Sequence, residues 1–194
     1  MAEETIKRVL AKLPSGPFLL VIAFALYFAL DYWIDLPPTG LEFYSETVTA
    51  TPEKDAILFE CEFHFMAHHP HKRSYEIGFP IYESGDHPHP ESVEVAVDGK
   101  PIAHRVLAQG LVFWMPVVPG QDTISTIRYR LKAPTKKATY ITRSANLWPK
   151  PIVSARFVLR EGAASNYHEA GQSEVGFSDF RPKDNWRLSW GETP

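Results

Sequence analysis

Hydrophobic and polar residues follow two regimes along this chain, and the change between them falls at Pro37-Pro38. Before it, Leu13–Leu30 carries no charged side chain and Phe18–Leu30 is apolar throughout. As a helix, Pro17–Leu36 spans about 30 Å, the thickness of a bilayer's hydrocarbon core. Ser15 is placed to cap that helix, Pro17 suits its first turn, and Pro37-Pro38 ends it. Beyond Pro38 the period becomes two. In Asp55–Ala67, Ile57, Phe59, Cys61, Phe63 and Phe65 fall on one face, while Leu58, Glu60, Glu62, His64 and Met66 fall on the other. That is the pattern of a half-buried strand. The same alternation predicts strands at Tyr75–Ile81 and Val93–Val97, and Asp98-Gly99 signals a hairpin turn into a strand around Ile102–Val106. Leu111–Val118, Ile124–Leu131, Ala138–Arg143, Ile152–Leu159 and Trp186–Trp190 complete the set, with a fainter pattern at Leu41–Ala50. Some eight to ten strands with no amphipathic helix among them predict an all-β fold. The expected architecture is an Ig-like antiparallel β-sandwich preceded by a single N-terminal transmembrane helix, with a closed small barrel as the alternative.

Charge placement orients the apolar segment. Lys7, Arg8 and Lys12 flank its start, which predicts a cytoplasmic N-terminus, and Tyr27, Tyr32 and Trp33 lie towards its end, where aromatic rings favour the headgroup layer. A buried core helix is disfavoured because nothing helical follows for it to pack against. A signal peptide would explain the basic start, but no A-x-A-like cleavage site follows Leu30; Asp31, Tyr32 and Trp33 come next. The expectation is therefore an uncleaved anchor. Residues 1–12 form a cytoplasmic arm, 13–36 the transmembrane helix, 37–40 a linker and 41–194 an extracytoplasmic sandwich domain, which places the protein in the inner membrane with its C-terminal domain in the periplasm. Ala25 and Ala29, four residues apart, would let a second helix approach closely.

Composition narrows the function classes. About 155 residues beyond the anchor suffice for one domain with a sizeable core. A net charge of −3 gives no support to nucleic-acid binding, and the single cysteine, Cys61, excludes an internal disulfide framework or a multi-thiolate metal site. The distribution of charge says more than the total. Twelve acids between Glu42 and Asp98 face only Lys54, Lys72 and Arg73, whereas Thr123–Arg160 holds nine bases and no acid. Such a block either meets anionic lipid or an acidic protein, or pairs with strands of opposite sign across the sheet. On the first reading, Lys132, Lys136, Lys137, Arg143 and Lys150 join Ala25 and Ala29 as candidate partner contacts.

Within Thr139–Arg160, TYITRSANLWPKPIVSARFVLR, a tyrosine strand is followed by Trp-Pro-x-Pro and then by a strand of alternating apolar residues. The stretch resembles bacterial membrane-anchored envelope β-sandwich proteins of uncharacterised function. The resemblance covers about twenty residues and implies a fold and a compartment, with no catalytic residue. Histidine is the richest source of chemistry. His64, His68, His69 and His71 form H-x-x-x-H-H-x-H, and His87 and His89 form H-P-H. His68, His69, His71, His87 and His89 are the candidate ligands for Cu²⁺ or Zn²⁺. Against this, these residues sit in Pro-rich turns, where exposed histidine is ordinary, and Cys61 and His64 face opposite sides of one strand. An anchor followed by an Ig-like domain resembles the plan of the copper-delivering assembly factors of cytochrome oxidase, whose C-F-C-F motif is here CEFHF, with one thiol.

There is no G-x-S-x-G, H-E-x-x-H, P-loop or G-x-G-x-x-G in a strand–helix context, so neither an enzyme nor a cofactor is expected. The expected function is a non-catalytic accessory or structural subunit of a larger membrane protein complex, of the photosynthetic or respiratory kind. It would dock through its helix and its periplasmic sandwich, with membrane lipid and other subunits as partners. The alternative is a periplasmic metal-handling protein or assembly chaperone that uses the His-rich turns.

Overall fold

Alternation of period two carries most of the described chain into strands. The computed structural model describes residues 40–68, 71–83, 89–160 and 162–191. The expected arm and transmembrane helix, with Ala25 and Ala29, lie outside the described residues; among the described residues no helix is long and apolar enough to cross a membrane. In chain order the strands are β1 (Leu41–Pro52), β2 (Ala56–Ala67), β3 (Arg73–Pro80), β4 (Ser92–Val97), β5 (Lys100–Pro101), β6 (His104–Leu107), β7 (Gly110–Val117), β8 (Asp122–Lys132), β9 (Lys137–Tyr140), β10 (Ile152–Leu159), β11 (Ala164–Ser165), β12 (Glu174–Phe180) and β13 (Trp186–Ser189). A 3₁₀ helix, Thr142–Leu147, follows β9. The fold is all-β.

One seven-stranded sheet, ordered β12-β10-β1-β2-β8-β4-β5, is overlaid by two three-stranded sheets, β3-β7-β6 and β11-β13-β9. Aromatic contacts bind the layers. Phe79 of β3 meets Phe63 at 5.7 Å and Tyr129 at 5.6 Å between ring centroids, while Trp186 of β13 meets Phe59 at 6.5 Å and Phe157 at 5.1 Å. Both small sheets thus cover the same face of the large one, a sandwich-like arrangement whose core runs through the inward residues of β2.

Three features differ from the sequence expectation. Residues 102–106 do not form one strand. Lys100–Pro101 closes the hairpin on β4, then the chain crosses to pair His104–Leu107 with β7. Pro101 lacks the N–H that a continuing ladder needs. The strand expected to run to Arg143 stops at Tyr140 and gives way to the 3₁₀ helix. The large sheet is also not wholly antiparallel, because β1 pairs with β10 in parallel register. By contrast, the turn signalled by Asp98-Gly99 is present, with positive φ at both residues (49° and 73°), as a tight hairpin turn requires.

The two ends of the sandwich are distinguished by β2, which runs from Ala56 at one to Ala67 at the other. Beside Ala67, the His68 N–H donates to the Gly40 carbonyl at 2.7 Å. The Gly40 end is called the base and the Ala56 end the far end. Within β1, the register against β2 slips between Phe43 and Ser45. This bulge reverses strand parity, so that Leu41 and Phe43 are buried, and so are Glu46, Val48 and Ala50.

Candidate functional site

The bases of Thr123–Arg160 divide by strand register into paired and unpaired groups. Arg128 of β8 lies 3.3 Å from Glu60 and 3.9 Å from Glu94, on the strands either side of it. Arg130 reaches Glu53 at 2.6 Å and also pairs with Glu91, and Lys132 lies 3.8 Å from Glu91. Arg156 pairs with Glu174 at 3.3 Å, and Lys150 with Glu42 at 3.1 Å. Ion pairs, across strands for Arg128 and Arg156 and to flanking loop residues or from a loop for the rest, account for these five. Lys136, Lys137 and Arg143 carry no ion pair among the described residues and are exposed or, like Lys136 at positive φ, held out by a turn. The block that is continuous in sequence is split in space. Lys136 sits at the far end, where its N–H donates to the Ala133 carbonyl and the Ala133 N–H to that of Asp55, while Lys150 sits at the base beside Glu42.

The candidate metal ligands are likewise separated or engaged. His69 and His87 lie outside the described residues. His68 follows β2 at the base, where its Nε2 lies 2.6 Å from Glu42. His71 is exposed near that end, whereas His89 precedes Ser92, which pairs with Arg130 opposite Leu58 in the far half of β2. Leu58 and His68 are ten residues apart along an extended strand, about 33 Å. His64 bridges carboxylates, with Nδ1 2.8 Å from Asp122 and Nε2 3.1 Å from Glu62. Burial lowers its pKa, but the two carboxylates outweigh that, and the net shift is upward, towards the imidazolium that cannot ligate a metal. Among the described residues no group of three His, Cys, Asp or Glu side chains could hold a metal ion.

The structure reveals a carboxyl group that the sequence pattern did not single out. The bulge in β1 turns Glu46 into the core, where 4% of it is exposed and its Oε1 has no hydrogen-bond partner among the described residues. Burial pushes its pKa up to about 8, so the carboxyl is largely protonated at neutral pH. Cys61, Tyr140 and Tyr167 share its surroundings. The Tyr140 hydroxyl donates to the Cys61 thiol, and burial pushes both groups well above their ordinary pKa values. The Tyr167 hydroxyl donates to the Asp184 carbonyl and lies 2.9 Å from Thr142 Oγ1. Chemically the cluster stores one proton inside a nearly sealed shell. A signal for it existed in the sequence: Phe43 and Val48 are five apart, so burying both requires one parity change between them.

Exposed apolar side chains form the remaining candidate surface. On the outer face of the β3-β7-β6 sheet, Trp114 is 60% exposed and pairs in register with Glu76, beside Gly78, where an added Cβ would meet nothing within 4 Å. Leu107 and Val106, both exposed, border the same sheet at the β6–β7 turn. Leu147 and Val153 are exposed elsewhere, near the base.

No protein-family model matches the chain, and no curated protein matches it. Solved structures do. A putative nutrient binding protein from Legionella pneumophila superposes with a TM-score of 0.59 at 11% identity, over 80% of this chain and 67% of that one. An M1 zinc metallopeptidase from Deinococcus radiodurans gives 0.48 at 12% identity, over 79% of this chain and 43% of that one. The native yeast LTA4 hydrolase gives 0.45 at 9% identity, over 78% of this chain and 29% of that one. This chain therefore spans less than half the length of either of those two enzymes. At such identities the first likeness concerns the fold alone.

Proposed function

We propose that the protein is a single-pass inner-membrane protein whose Ig-like sandwich stands in the periplasm as a non-catalytic accessory subunit of a larger membrane complex, of the photosynthetic or respiratory kind. One observation carries the reading: Trp114, 60% exposed in the middle strand of a three-stranded sheet. A rigid strand holds the indole, so ordering it costs little on binding, and tryptophan is among the residue types most enriched at interface hot spots. Leu107 and Val106 extend the apolar area, and Lys136 and Lys137, without an ion pair among the described residues, offer a separate contact for an acidic surface. Docking through the apolar segment at Ala25 and Ala29 would be the further attachment point. Contacts that are weak singly become strong together because the first raises the effective concentration of the second.

The test is co-purification of the full chain with its companions in mild detergent. Trp114→Ala is expected to lower the yield with little salt dependence, since loss of a hot-spot indole costs about 2 kcal/mol or more. Lys136→Glu with Lys137→Glu should release companions in moderate salt, because exposed charges are screened over about 8–10 Å. Both variants co-purifying like the parent at every salt concentration would sink the proposal.

A further inference from the structure

The chain enters the sandwich at Gly40, and only Pro37, Pro38 and Thr39 separate that residue from the apolar segment ending at Leu36. Four Cα-to-Cα steps reach at most about 14 Å even when fully extended. An anchor at Pro17–Leu36 would therefore tether Gly40, at the base of the sandwich, within that distance of the membrane surface.

At that base stands a built projection. The Arg181 guanidinium donates to three carbonyls of one loop, those of Asn146 (3.4 Å), Trp148 (3.0 Å) and Pro149 (2.8 Å). The Asn146 amide donates in return to the Pro182 carbonyl at 2.8 Å. The Trp148 ring packs against Phe43 at 5.5 Å and Phe65 at 5.7 Å, only a few residues from Gly40 in β1 and from Ala67 in β2. Lys150 holds Glu42. Fixed on every side, the loop nevertheless presents Leu147 to solvent at 76% exposure, the largest value among the exposed large hydrophobics. Five bases, Lys72, Arg73, Lys150, Arg181 and Lys183, stand towards this end together with the acids Glu42, Asp98, Asp122, Asp179 and Asp184. Glu42 is engaged by His68 and Lys150, Asp98 by the Ile124 N–H, and Asp122 by His64.

We infer that this base is a membrane-contact surface: Leu147 dips to the boundary of the hydrocarbon, and the surrounding lysines and arginines lie among anionic phosphate headgroups. The inference rests on the reading of Pro17–Leu36 as an anchor. A single apolar tip beside an indole ring and flexible lysines suits the interfacial layer of a bilayer, and basic residues next to a membrane are drawn to its anionic lipids. Because the loop is already clamped, insertion demands no new ordering of the backbone. The consequence is geometric. With a second point of contact the sandwich cannot swing about its linker, and Lys136 and Lys137, at the far end, stand up to about 40 Å from this base, the length of a twelve-residue strand.

The experiment uses the full chain in vesicles of phosphatidylcholine, with and without phosphatidylglycerol, and a nitroxide label at Leu147→Cys or at Lys137→Cys. Cys61 is buried and does not compete for label. A label at 147 should collide several-fold more with oxygen than with a water-soluble nickel chelate, and a label at 137 should show the reverse. Shielding that needs phosphatidylglycerol identifies headgroup charge as the main attraction, and shielding in both lipids identifies apolar insertion; either supports the inference. Equal exposure to water at both positions overturns it and leaves the accessory-subunit proposal standing. Shielding at 147 only when companion subunits are co-reconstituted overturns it in favour of a protein contact. A chain stripped from the vesicles by alkaline carbonate overturns the anchor and this inference together.

Discussion

Glu46 should make the stability of the sandwich fall as pH rises, across a window where most domains gain stability or stay level. Burial raises its carboxyl from an ordinary value of 4.5 to about 8 in the folded chain. Below pH 4.5 both states hold the proton and nothing is lost. Between 4.5 and 8 the unfolded chain releases the proton that the folded chain keeps, so unfolding is favoured progressively. Above 8 the effect is complete. A displacement of about 3.5 units at 1.36 kcal/mol each corresponds to roughly 5 kcal/mol, a large part of an ordinary domain's stability. Other groups titrate in the same range. His64, raised by its carboxylates against the effect of burial, also loses its contribution as pH climbs, whereas His168, lowered by burial, acts in the opposite sense. Comparison of the parent with Glu46→Gln cancels these terms. Urea unfolding of the purified chain, followed by near-UV dichroism at half-unit steps from about pH 5 to 8, gives both slopes. The parent should lose several kcal/mol more than the variant, and Glu46→Gln should be relatively more stable at the alkaline end of that range than at the acid end. Parallel stability curves for the two proteins would mean that Glu46 ionises freely and is not sealed.

Three further outcomes rest on named contacts. Gly110→Ala should lower the melting temperature by several degrees, because an added Cβ would stand 2.1 Å from the Phe79 carbonyl oxygen; Gly78→Ala, with nothing within 4 Å, is the internal control and should melt close to the parent. Arg181→Ala should leave the melting temperature within a few degrees but expose the Asn146–Pro149 loop to limited proteolysis, since it removes the donor to three carbonyls; unchanged cleavage would show that the Trp148 packing alone holds the loop. The full chain should bind Cu²⁺ no more tightly than about −8 kcal/mol, micromolar order, because His64 and His68 are already engaged by carboxylates; a stoichiometric nanomolar site in calorimetry, lost on His68→Ala, would reverse that.

How much was legible in the sequence depended on how far each element obeyed a simple period. β2 alternates without a break, so its boundaries and its buried face were readable to a residue. β12 was not foreseen because Glu174–Phe180, EVGFSDF, sets only Val175 and Phe177 in alternation around a glycine, as suits a strand at the rim of a sheet. The two-residue β11 leaves no pattern at all. The position of Glu46 was hidden for another reason. Strict alternation from Leu41 puts it on the wet face; the spacing of Phe43 and Val48 implies a parity change, but only the pairing of β1 with β2 places the bulge before Glu46 and brings it inside. The same limit applies to charge. That Arg128, Arg130 and Arg156 are neutralised while Lys136 and Lys137 carry no ion pair among the described residues depends on which strands are neighbours, and β8 lies between β2 and β4 only through long-range topology.

The parallel pairing of β1 with β10 bears on how the chain comes off the ribosome. Ser45 sits opposite Ser154, more than a hundred residues later, so β1 is the earliest described strand made and one of the last to be flanked on both sides. At about 5–20 residues per second, translation leaves a gap of roughly 5–20 s during which β2 can cover one edge of β1 while the other stays open. That waiting edge presents backbone groups such as the Ala50 carbonyl, later taken by the Arg160 N–H, with neither lysine nor an interior proline to discourage a stray strand from pairing with it. This interval is when a neighbouring nascent chain is most dangerous and a holdase chaperone most useful. It also means that losing β10 and β12 would leave the strand that leads directly from Gly40 as the open edge of the sheet.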